Sequence, residues 1–300
     1  KVERAAQAEA CVLFEGEPGT GKQVLARFLH ERSARREKPF VVVTGGALLK
    51  PDAARDLFGV EEGGDVRHGL LEQAQGGAIY LDEIAAINAE LQARLAAALV
   101  ARQFTRVGGQ EPVPLEARVL AGTSKDLPQE VAEGRFSEAL LYQLRVLPLR
   151  VTPLRERPED IPELLRYFAE RYADRDSMPY RRFTVAAQNR MRQHPWPGNV
   201  RELTNLVQRL LILGSGDEVD LAEVDAALGP PRPERREGNL PIDLGLPLRE
   251  AREQFEREYL IHQLKLAGGS VGRLAKAVGL ERTHLYRKLR ALGVELKDSE

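Results

Sequence analysis

The segment FEGEPGTGKQVLARFLH, residues 14–30, constrains the fold most, because a glycine-rich turn joins an apolar strand to a helix there. The glycines let backbone N–H groups approach an anion, and the lysine ammonium reaches the β- and γ-phosphates of a nucleotide. The helix directs its N-terminus at the same anion. The segment therefore predicts a phosphate-binding loop made of Gly16, Glu17, Pro18, Gly19, Thr20, Gly21, Lys22 and Gln23.

A second element, AIYLDE, ends an apolar run in Asp82 and Glu83, about 60 residues after Lys22. Gln23 stands where many such loops carry the Ser or Thr that binds Mg²⁺, so other groups would hold the metal. Asp82 is predicted to hold Mg²⁺ through water, and Glu83 to orient a hydrolytic water. The alternative is a solvated strand end, which the loop upstream makes less favourable.

Short β-rich runs (CVLFEG, FVVVTG, AIYLDE, ARVLAGT) alternate with amphipathic stretches up to about Val151, which predicts a parallel sheet covered by helices. From about Arg157 to Leu228 the strands stop and helical periodicity takes over. The segment between 229 and 247 carries five prolines and little that could form a core. We therefore expect an α/β subdomain (1–156), a helical lid (157–228), a flexible linker (229–247) and an all-α domain (248–300).

The formal net charge of −1 excludes a chain that is basic along its whole length, so any basic surface must be local. Cys11 is the only cysteine, which excludes an internal disulfide framework and fits a reducing compartment. No apolar run approaches the ~18 residues that span a bilayer, and no signal peptide is visible. We expect a soluble, cytoplasmic protein without membrane contact. Since the chain begins at Lys1 and not at Met, we also expect an upstream segment in the intact protein.

The C-terminal part supplies the local basic surface. Ser270 is a predicted N-cap, Gly279 a tight turn, and a second helix is expected from about Arg282 to Leu292 before Gly293. Two short helices joined by a glycine turn predict a helix-turn-helix, with a solvated helical hairpin as the alternative. The candidates for reading bases are Arg282, His284 and Tyr286. The candidates for contacting phosphates are Lys276, Arg287 and Lys288. Arg273 and Thr283 complete the surface predicted to bind double-stranded DNA.

An apolar stripe precedes this unit, formed by Leu248, Ala251, Phe255, Tyr259 and Leu264. The stripe is a candidate for pairing two subunits. A dimer would read a palindromic DNA site.

The motifs GEPGTGK, DLFG, GGAIYLDEI, RVLAGTSKDL and WPGNVREL occur in this order, and the chain resembles the AAA+ domain of bacterial enhancer-binding proteins, the sigma-54 activators. Its tail is similar to the Fis-type domain of the NtrC/NtrX-type response regulators. The resemblance implies ATP or ADP with Mg²⁺, a receiver domain that this chain lacks, and a homo-oligomer, either a dimer or a higher ring. It also implies that Arg201 is a phosphate-binding sensor; the alternative is a lid-surface ion pair. Trp196 is expected in a packed turn between lid helices.

The chain departs from the family where energy transfer takes place. Active members carry a GAFTGA loop, but GVEEGGDVRHG, residues 59–69, is about five residues shorter and lacks the hexapeptide. Ser137 and Gln143 occupy the positions of the family's arginine fingers. Arg135 and Arg145 lie two residues out of register, which on a helix is about 200° of rotation.

Two further positions differ from the family pattern. Thr44 replaces the asparagine that, in the family, gates the Walker B glutamate, which is Glu83 here. The family's sensor I motif is usually Thr-Asn, whereas this chain has Thr123 and Ser124. These departures predict a DNA-binding regulator whose AAA+ domain binds nucleotide with weak or no hydrolysis, as an oligomerisation or signalling element. RNA polymerase is a candidate partner, but the missing loop argues against contact with sigma-54. The alternatives are an active sigma-54-dependent activator ATPase and an AAA+ unfoldase of another kind.

Overall fold

A computed structural model describes residues 2–176, 179–229, 248–267 and 270–292. The chain divides into two compact units, Lys1–Pro230 and Pro231–Glu300. Residues 230–247, nearly all of the predicted linker, lie outside the described residues. No helix in the described ranges is both long and apolar enough to cross a membrane.

The first unit begins with an α/β part. Its helices are α1 (Val2–Gln7), α2 (Lys22–Glu31), α3 (Gly45–Leu48), α4 (Ala53–Phe58), α5 (Leu70–Gln73), α6 (Ala89–Ala101), α7 (Leu127–Ala132) and α8 (Glu138–Leu144). Its strands are β1 (Val12–Glu15), β2 (Phe40–Val43), β3 (Val60–Glu62), β4 (Asp65–Arg67), β5 (Ala78–Leu81), β6 (Gln103–Thr105), β7 (Pro112–Pro114), β8 (Arg118–Thr123) and β9 (Leu147–Arg150).

The predicted parallel sheet is confirmed. Five strands lie in the order β2-β5-β8-β1-β9, and every neighbouring pair is parallel. Apolar side chains alternate between two cores: Leu13 packs on one face of β1, and Val12 and Phe14 pack on the other. Because both faces are covered, the strands read as continuous apolar runs. The carboxyl ends of β1, β5 and β8 meet at one edge.

Two antiparallel hairpins project from this body. β3 pairs with β4 and β6 with β7, and a parallel bridge joins Val60 to Val107. The β3–β4 hairpin turns at Gly63 and Gly64, whose φ angles are +61° and +91°, a conformation that favours glycine. This short hairpin stands where the family resemblance leads one to expect the GAFTGA loop.

The helical lid comprises α9 (Ile161–Asp176), α10 (Val185–Arg192), α11 (Asn199–Leu213) and α12 (Leu221–Leu228). The expectation that strands stop here was wrong, since β10 (Arg182–Phe183) pairs in parallel with β11 (Glu218–Val219). Two residues are too few to produce an alternating pattern in the sequence. Trp196 is fully buried in the lid core and donates from Nε1 to the carbonyl of Met191 at 2.8 Å, as predicted for a packed turn.

The second unit contains α13 (Leu248–Leu266), α14 (Val271–Val278) and α15 (Arg282–Ala291). Ser270 caps α14 by accepting from the backbone N–H of Arg273, and Gly279 ends it with φ of +68°. The predicted two-helix unit is thus confirmed, although Gly293 lies outside the described residues. Its core is formed by Leu260, Leu274, Ala275, Leu285 and Leu289.

Candidate functional site

The glycine-rich loop runs from the end of β1 into α2, as predicted. Gly19 and Gly21 have φ of +77° and +98°, and a Cβ on Gly19 would lie 2.3 Å from the carbonyl oxygen of Gly198 in the lid. Only glycine fits that position. The loop borders a cleft of about 400 Å³ between the sheet and the lid. The cleft is lined by Gly19, Gly21, Lys22, Gln23, Val24, Asp82, Glu83, Phe168, Arg171, Val200, Arg201, Thr204 and Asn205.

Lys22 lines this cleft, and its side chain is only 5% exposed. It donates to the carbonyls of Gly16 at 2.9 Å and Glu17 at 3.3 Å, and lies 3.1 Å from Oε1 of Glu83. The loop therefore places a fixed cation beside a carboxylate.

Glu83 follows β5 with φ of +50°, in the left-handed region. Its Oε2 accepts from the backbone N–H of Ser124 at 2.9 Å and from the Ser124 hydroxyl at 2.7 Å. Burial raises the pKa of Glu83, but the Ser124 hydrogen bonds and the Lys22 charge outweigh it and hold the pKa below its usual value. In this structure Ser124 and Lys22 orient the glutamate.

Asp82 lines the same cleft, and its Oδ1 accepts from the hydroxyl of Tyr80 at 3.0 Å. Burial and the Asp82 charge raise the pKa of Tyr80, so the phenol stays a hydrogen-bond donor. Within the described ranges, no group of three His, Cys, Asp or Glu side chains is placed to hold an ion. When Mg²⁺ is bound, Asp82 would contribute one ligand of a shell completed by water and phosphate oxygens.

Sequence reasoning missed a set of contacts that the lid and the segment just before it make with the glycine-rich loop. Arg155 forms a bidentate pair with Glu17, with N–O distances of 2.7 and 2.5 Å. Its hydrogen bonds lower the pKa of Glu17. Asn199, fully buried with φ of +53°, donates to Glu17 at 3.0 Å and to the carbonyl of Pro18 at 3.1 Å. Asparagine is one of the few non-glycine residues that adopt this left-handed conformation readily.

The same lid approaches the loop at two more points. The Arg157 side chain donates to the carbonyl of Thr20 at 3.1 Å. The backbone N–H of Arg201 donates to the carbonyl of Gly19 at 3.2 Å. The Arg201 side chain is exposed and lines the cleft. The structure thus brings the predicted sensor residue to the mouth of the cleft.

Of the two predicted finger positions, Ser137 has a role within the fold and Gln143 lies inside α8. Ser137 is the N-cap of α8 and accepts from the backbone N–H of Leu140 at 3.3 Å. Arg135 precedes that helix and Arg145 caps its C-terminus, so the argument from helical rotation was wrong for both residues. Arg145 lies 3.8 Å from Glu15.

Ion pairs hold the β3–β4 hairpin. Arg106, next to β6, donates to Glu61 at 3.1 Å and forms a bidentate pair with Glu72 at 3.1 and 2.7 Å. Arg106 and Glu72 are only 14% and 9% exposed. On the outer side Arg55 pairs with Glu62 at 2.9 Å. The hairpin is fastened to its neighbours on two sides.

The second unit exposes most of the predicted DNA-contacting side chains: Arg273, Lys276, Thr283, His284, Tyr286 and Arg287. The side chain of Arg282 lies outside the described residues. Lys288 is different, because its Nζ lies 3.0 Å from Oε2 of Glu256 on α13. The structure ties this lysine to the neighbouring helix.

The predicted stripe on α13 is only partly a surface. Phe255 and Tyr259 are 39% and 36% exposed, and their rings stack with centroids 5.9 Å apart. Leu264 is partly buried and packs against the core of its own unit. The side chains of Leu248 and Ala251 lie outside the described residues.

Comparison with known proteins gives three matching families. Residues 1–150 match the sigma-54 interaction domain, 155–240 the AAA+ ATPase lid domain, and 251–292 the bacterial regulatory proteins of the Fis family. The chain is 44% identical to the nitrogen assimilation regulatory protein NtrX of Azorhizobium caulinodans, over 98% of this chain and 66% of that protein.

Crystal structures of NtrX from Brucella abortus, in complex with ADP and with ATP, are also similar. Each is 38% identical to this chain, with TM-scores of 0.70 and 0.69, and the matches cover 98% of this chain and 66% of theirs. The chain therefore spans about two thirds of the length of these relatives.

Proposed function

Given that this chain belongs to the family of NtrX- and NtrC-like regulators with a sigma-54 interaction domain, we propose that it is a DNA-binding transcriptional regulator that binds ATP or ADP without efficient hydrolysis. The observation that carries the proposal is the cleft in which Lys22, Asp82, Glu83 and Arg201 converge on a glycine-rich loop. The two cations at a helix N-terminus suit a polyphosphate, and a carboxylate beside them suits the Mg²⁺ that accompanies it.

Nucleotide binding draws support from the relatives, since NtrX of Brucella abortus was solved with ADP and with ATP. In this chain the loop N–H groups and Lys22 would hold the phosphates, and Arg201 would reach them from the lid. Asp82 would hold Mg²⁺ through water. The carboxylate lies beside the loop and is oriented by Tyr80, which fits that role.

Weak hydrolysis follows from what the neighbouring subunit would lack. In the family that this chain resembles, an arginine from the neighbouring subunit stabilises the charge on the transferred phosphoryl group. Here Ser137 caps a helix of its own chain, and Arg135 is engaged by acidic residues of its own chain. A subunit built this way offers no arginine at the family's finger positions.

The β3–β4 hairpin argues against remodelling of the sigma-54 polymerase. Its tip is a two-glycine turn flanked by Glu62 and Asp65, without the family's hexapeptide. We expect no open complex from this chain at a sigma-54 promoter placed beside its binding site. ATP-dependent transcript in that assay would favour the alternative function, an active sigma-54-dependent ATPase.

DNA binding is assigned to the second unit, where α15 is the recognition helix and Phe255 and Tyr259 provide a pairing surface for a second copy. Such a dimer would bind a palindromic site. We retain 1–156, 157–228, 229–247 and 248–300 as the proposed α/β subdomain, lid, linker and DNA-binding domain.

The direct test of nucleotide binding is titration of the chain with fluorescently labelled ADP and ATP. Lys22→Ala should abolish binding, because it removes the ammonium that meets the phosphates. Lys50→Ala is the matched control, since Lys50 is exposed and does not line the cleft. Equal binding by the chain and its Lys22→Ala variant would contradict the proposal.

A further inference from the structure

Both oxygens of the Glu83 carboxylate are held by donors of this chain. Lys22 Nζ lies 3.1 Å from Oε1, and the hydroxyl and N–H of Ser124 lie 2.7 and 2.9 Å from Oε2. The lysine is the group that a phosphate-binding loop offers to β- and γ-oxygens. An anion from the protein itself already sits between these donors.

The sheet fixes this arrangement. β5 and β8 are paired with Leu81 opposite Ala121, so the residues that follow them, Glu83 and Ser124, emerge side by side. At the end of β2, a Cβ on Gly45 would lie 3.0 Å from the Glu83 Cβ. Glu83 is therefore confined between the residues that follow β2 and β8, and its carboxylate contacts Lys22 of the loop.

The donors of Lys22 are fully used. An ammonium has three N–H groups, and Lys22 contacts the carbonyls of Gly16 and Glu17 as well as the Glu83 carboxylate. An incoming phosphate must therefore replace at least one of these acceptors. A terminal phosphate that also approaches Ser124 must displace Glu83 itself.

We propose that Glu83 occupies the place of the terminal phosphate in the nucleotide-free protein, so that the cleft binds a nucleoside diphosphate more tightly than a triphosphate. Ser124 is the positioning residue that sets this preference. The inference rests on the proposed nucleotide binding. A diphosphate needs the loop N–H groups and Lys22, whereas a triphosphate must also force a carboxylate away from two hydrogen bonds and then remain beside its negative charge.

The experiment is calorimetric titration of the full chain with ADP and with adenylyl imidodiphosphate, which is not hydrolysed, both with Mg²⁺. We expect the unmodified chain to bind ADP about 10-fold more tightly, the ratio that loss of one charge-assisted hydrogen bond would give. Glu83→Gln should bring the ratio close to one by strengthening binding of the analogue.

Glu15→Gln is the matched control. Glu15 ends the neighbouring strand β1, has the same 31% side-chain exposure as Glu83, and lies near Arg145, not Lys22. This variant should keep the ratio of the unmodified chain. Thermal unfolding of each variant checks that the fold is retained.

A double-mutant cycle tests the role of Ser124. Ser124→Ala should lower the ratio about threefold in the presence of Glu83 and leave it unchanged in the Glu83→Gln background, because its effect acts through the carboxylate. Ser124→Thr should restore the ratio. Equal effects of Ser124→Ala in both backgrounds would overturn the positioning role.

The titrations distinguish a failure of the diphosphate preference from a failure of nucleotide binding itself. Equal affinities of the unmodified chain for the two nucleotides, or an unchanged ratio in Glu83→Gln, would overturn this inference and leave nucleotide binding intact. Failure of the unmodified chain to bind either nucleotide would overturn the proposed function, and this inference with it.

Discussion

Arg135 and Glu130 form a bidentate pair, with Nε and Nη2 of the guanidinium each 2.8 Å from a carboxylate oxygen. Arg135 also contacts Glu133. These hydrogen bonds hold the pKa of Glu130 low, at about 2. The arginine nearest to the family's finger position is thus satisfied within its own chain, in the turn before α8.

The serine at the finger position has a measurable role in stability. Ser137→Ala should lower the free energy of unfolding by about 1 kcal/mol, because α8 loses its N-cap hydrogen bond. Ser137→Thr keeps an oxygen for the cap and should lie close to the unmodified chain. Urea unfolding measures both, and equal stability of all three proteins would contradict the capping role.

The pairing of Glu72 with Arg106 should make stability depend on pH. Burial raises the pKa of Glu72, but hydrogen bonds from Arg106, His68 and the Gly69 N–H bring it from 4.5 to about 2. A carboxylate with a lowered folded-state pKa stabilises the fold above its unfolded pKa and loses that contribution as pH falls towards the folded value.

We therefore expect the stability difference between the unmodified chain and Glu72→Gln to be greatest near pH 7, at most about 3 kcal/mol, and to shrink between pH 4.5 and about 2. Urea unfolding across this range provides the measurement. Two parallel pH profiles would show that Glu72 is not held ionised by its partners.

Substitutions of two basic residues of α15 should have different effects, because one side chain is a candidate phosphate contact and the other forms an internal ion pair. Arg287→Ala should weaken binding to any duplex and reduce the slope of log affinity against log salt by about 0.9, the release of one counterion. Lys288→Met should weaken binding, because it removes the ion pair that ties α15 to α13. It should leave the slope unchanged, because the ammonium is paired with Glu256 and not with phosphate.

Fluorescence anisotropy at several salt concentrations, with a duplex of unrelated sequence, measures both slopes. Glu256→Gln tests the same pair from the other side: it frees the Lys288 ammonium, so it should not reduce the slope. A reduced slope in Lys288→Met would mean that this lysine contacts phosphate after all.

Arg181 should be the most sensitive charged residue of the lid. It is 1% exposed, forms a bidentate pair with Glu223 at 2.8 and 2.7 Å, and donates to the carbonyls of Leu210 and Gly216, each at 2.9 Å. Arg181→Met leaves these acceptors unpaired and should destabilise the chain by about 3 kcal/mol.

Its neighbour Arg182 is exposed, so Arg182→Met should be nearly neutral. Thermal unfolding compares the two variants. Similar melting temperatures for both would show that the buried guanidinium does not support the lid.

Local patterns anticipated much of the α/β body and the helix-turn-helix, because apolar runs, glycine turns and caps are signals within a few residues. The edge strand β9 was missed, since Pro148 interrupts its pattern; a proline is tolerated there because β9 lies at the sheet edge. The contacts that the glycine-rich loop makes with the lid and with the segment just before it were missed for another reason. Arg155 and Asn199 meet Glu17 across 138 and 182 residues of chain, and no local pattern records such a meeting.

Steady-state ATP hydrolysis at high protein concentration, with and without DNA, decides whether this chain binds nucleotide without efficient turnover. Saturating ATP ensures that every cleft is filled, and Glu83→Ala supplies the background rate because it removes the residue placed to orient water. We predict that the unmodified chain hydrolyses ATP at the rate of Glu83→Ala or only slightly above it under either condition. Turnover comparable with active members of the family, and abolished by Glu83→Ala, would contradict the account.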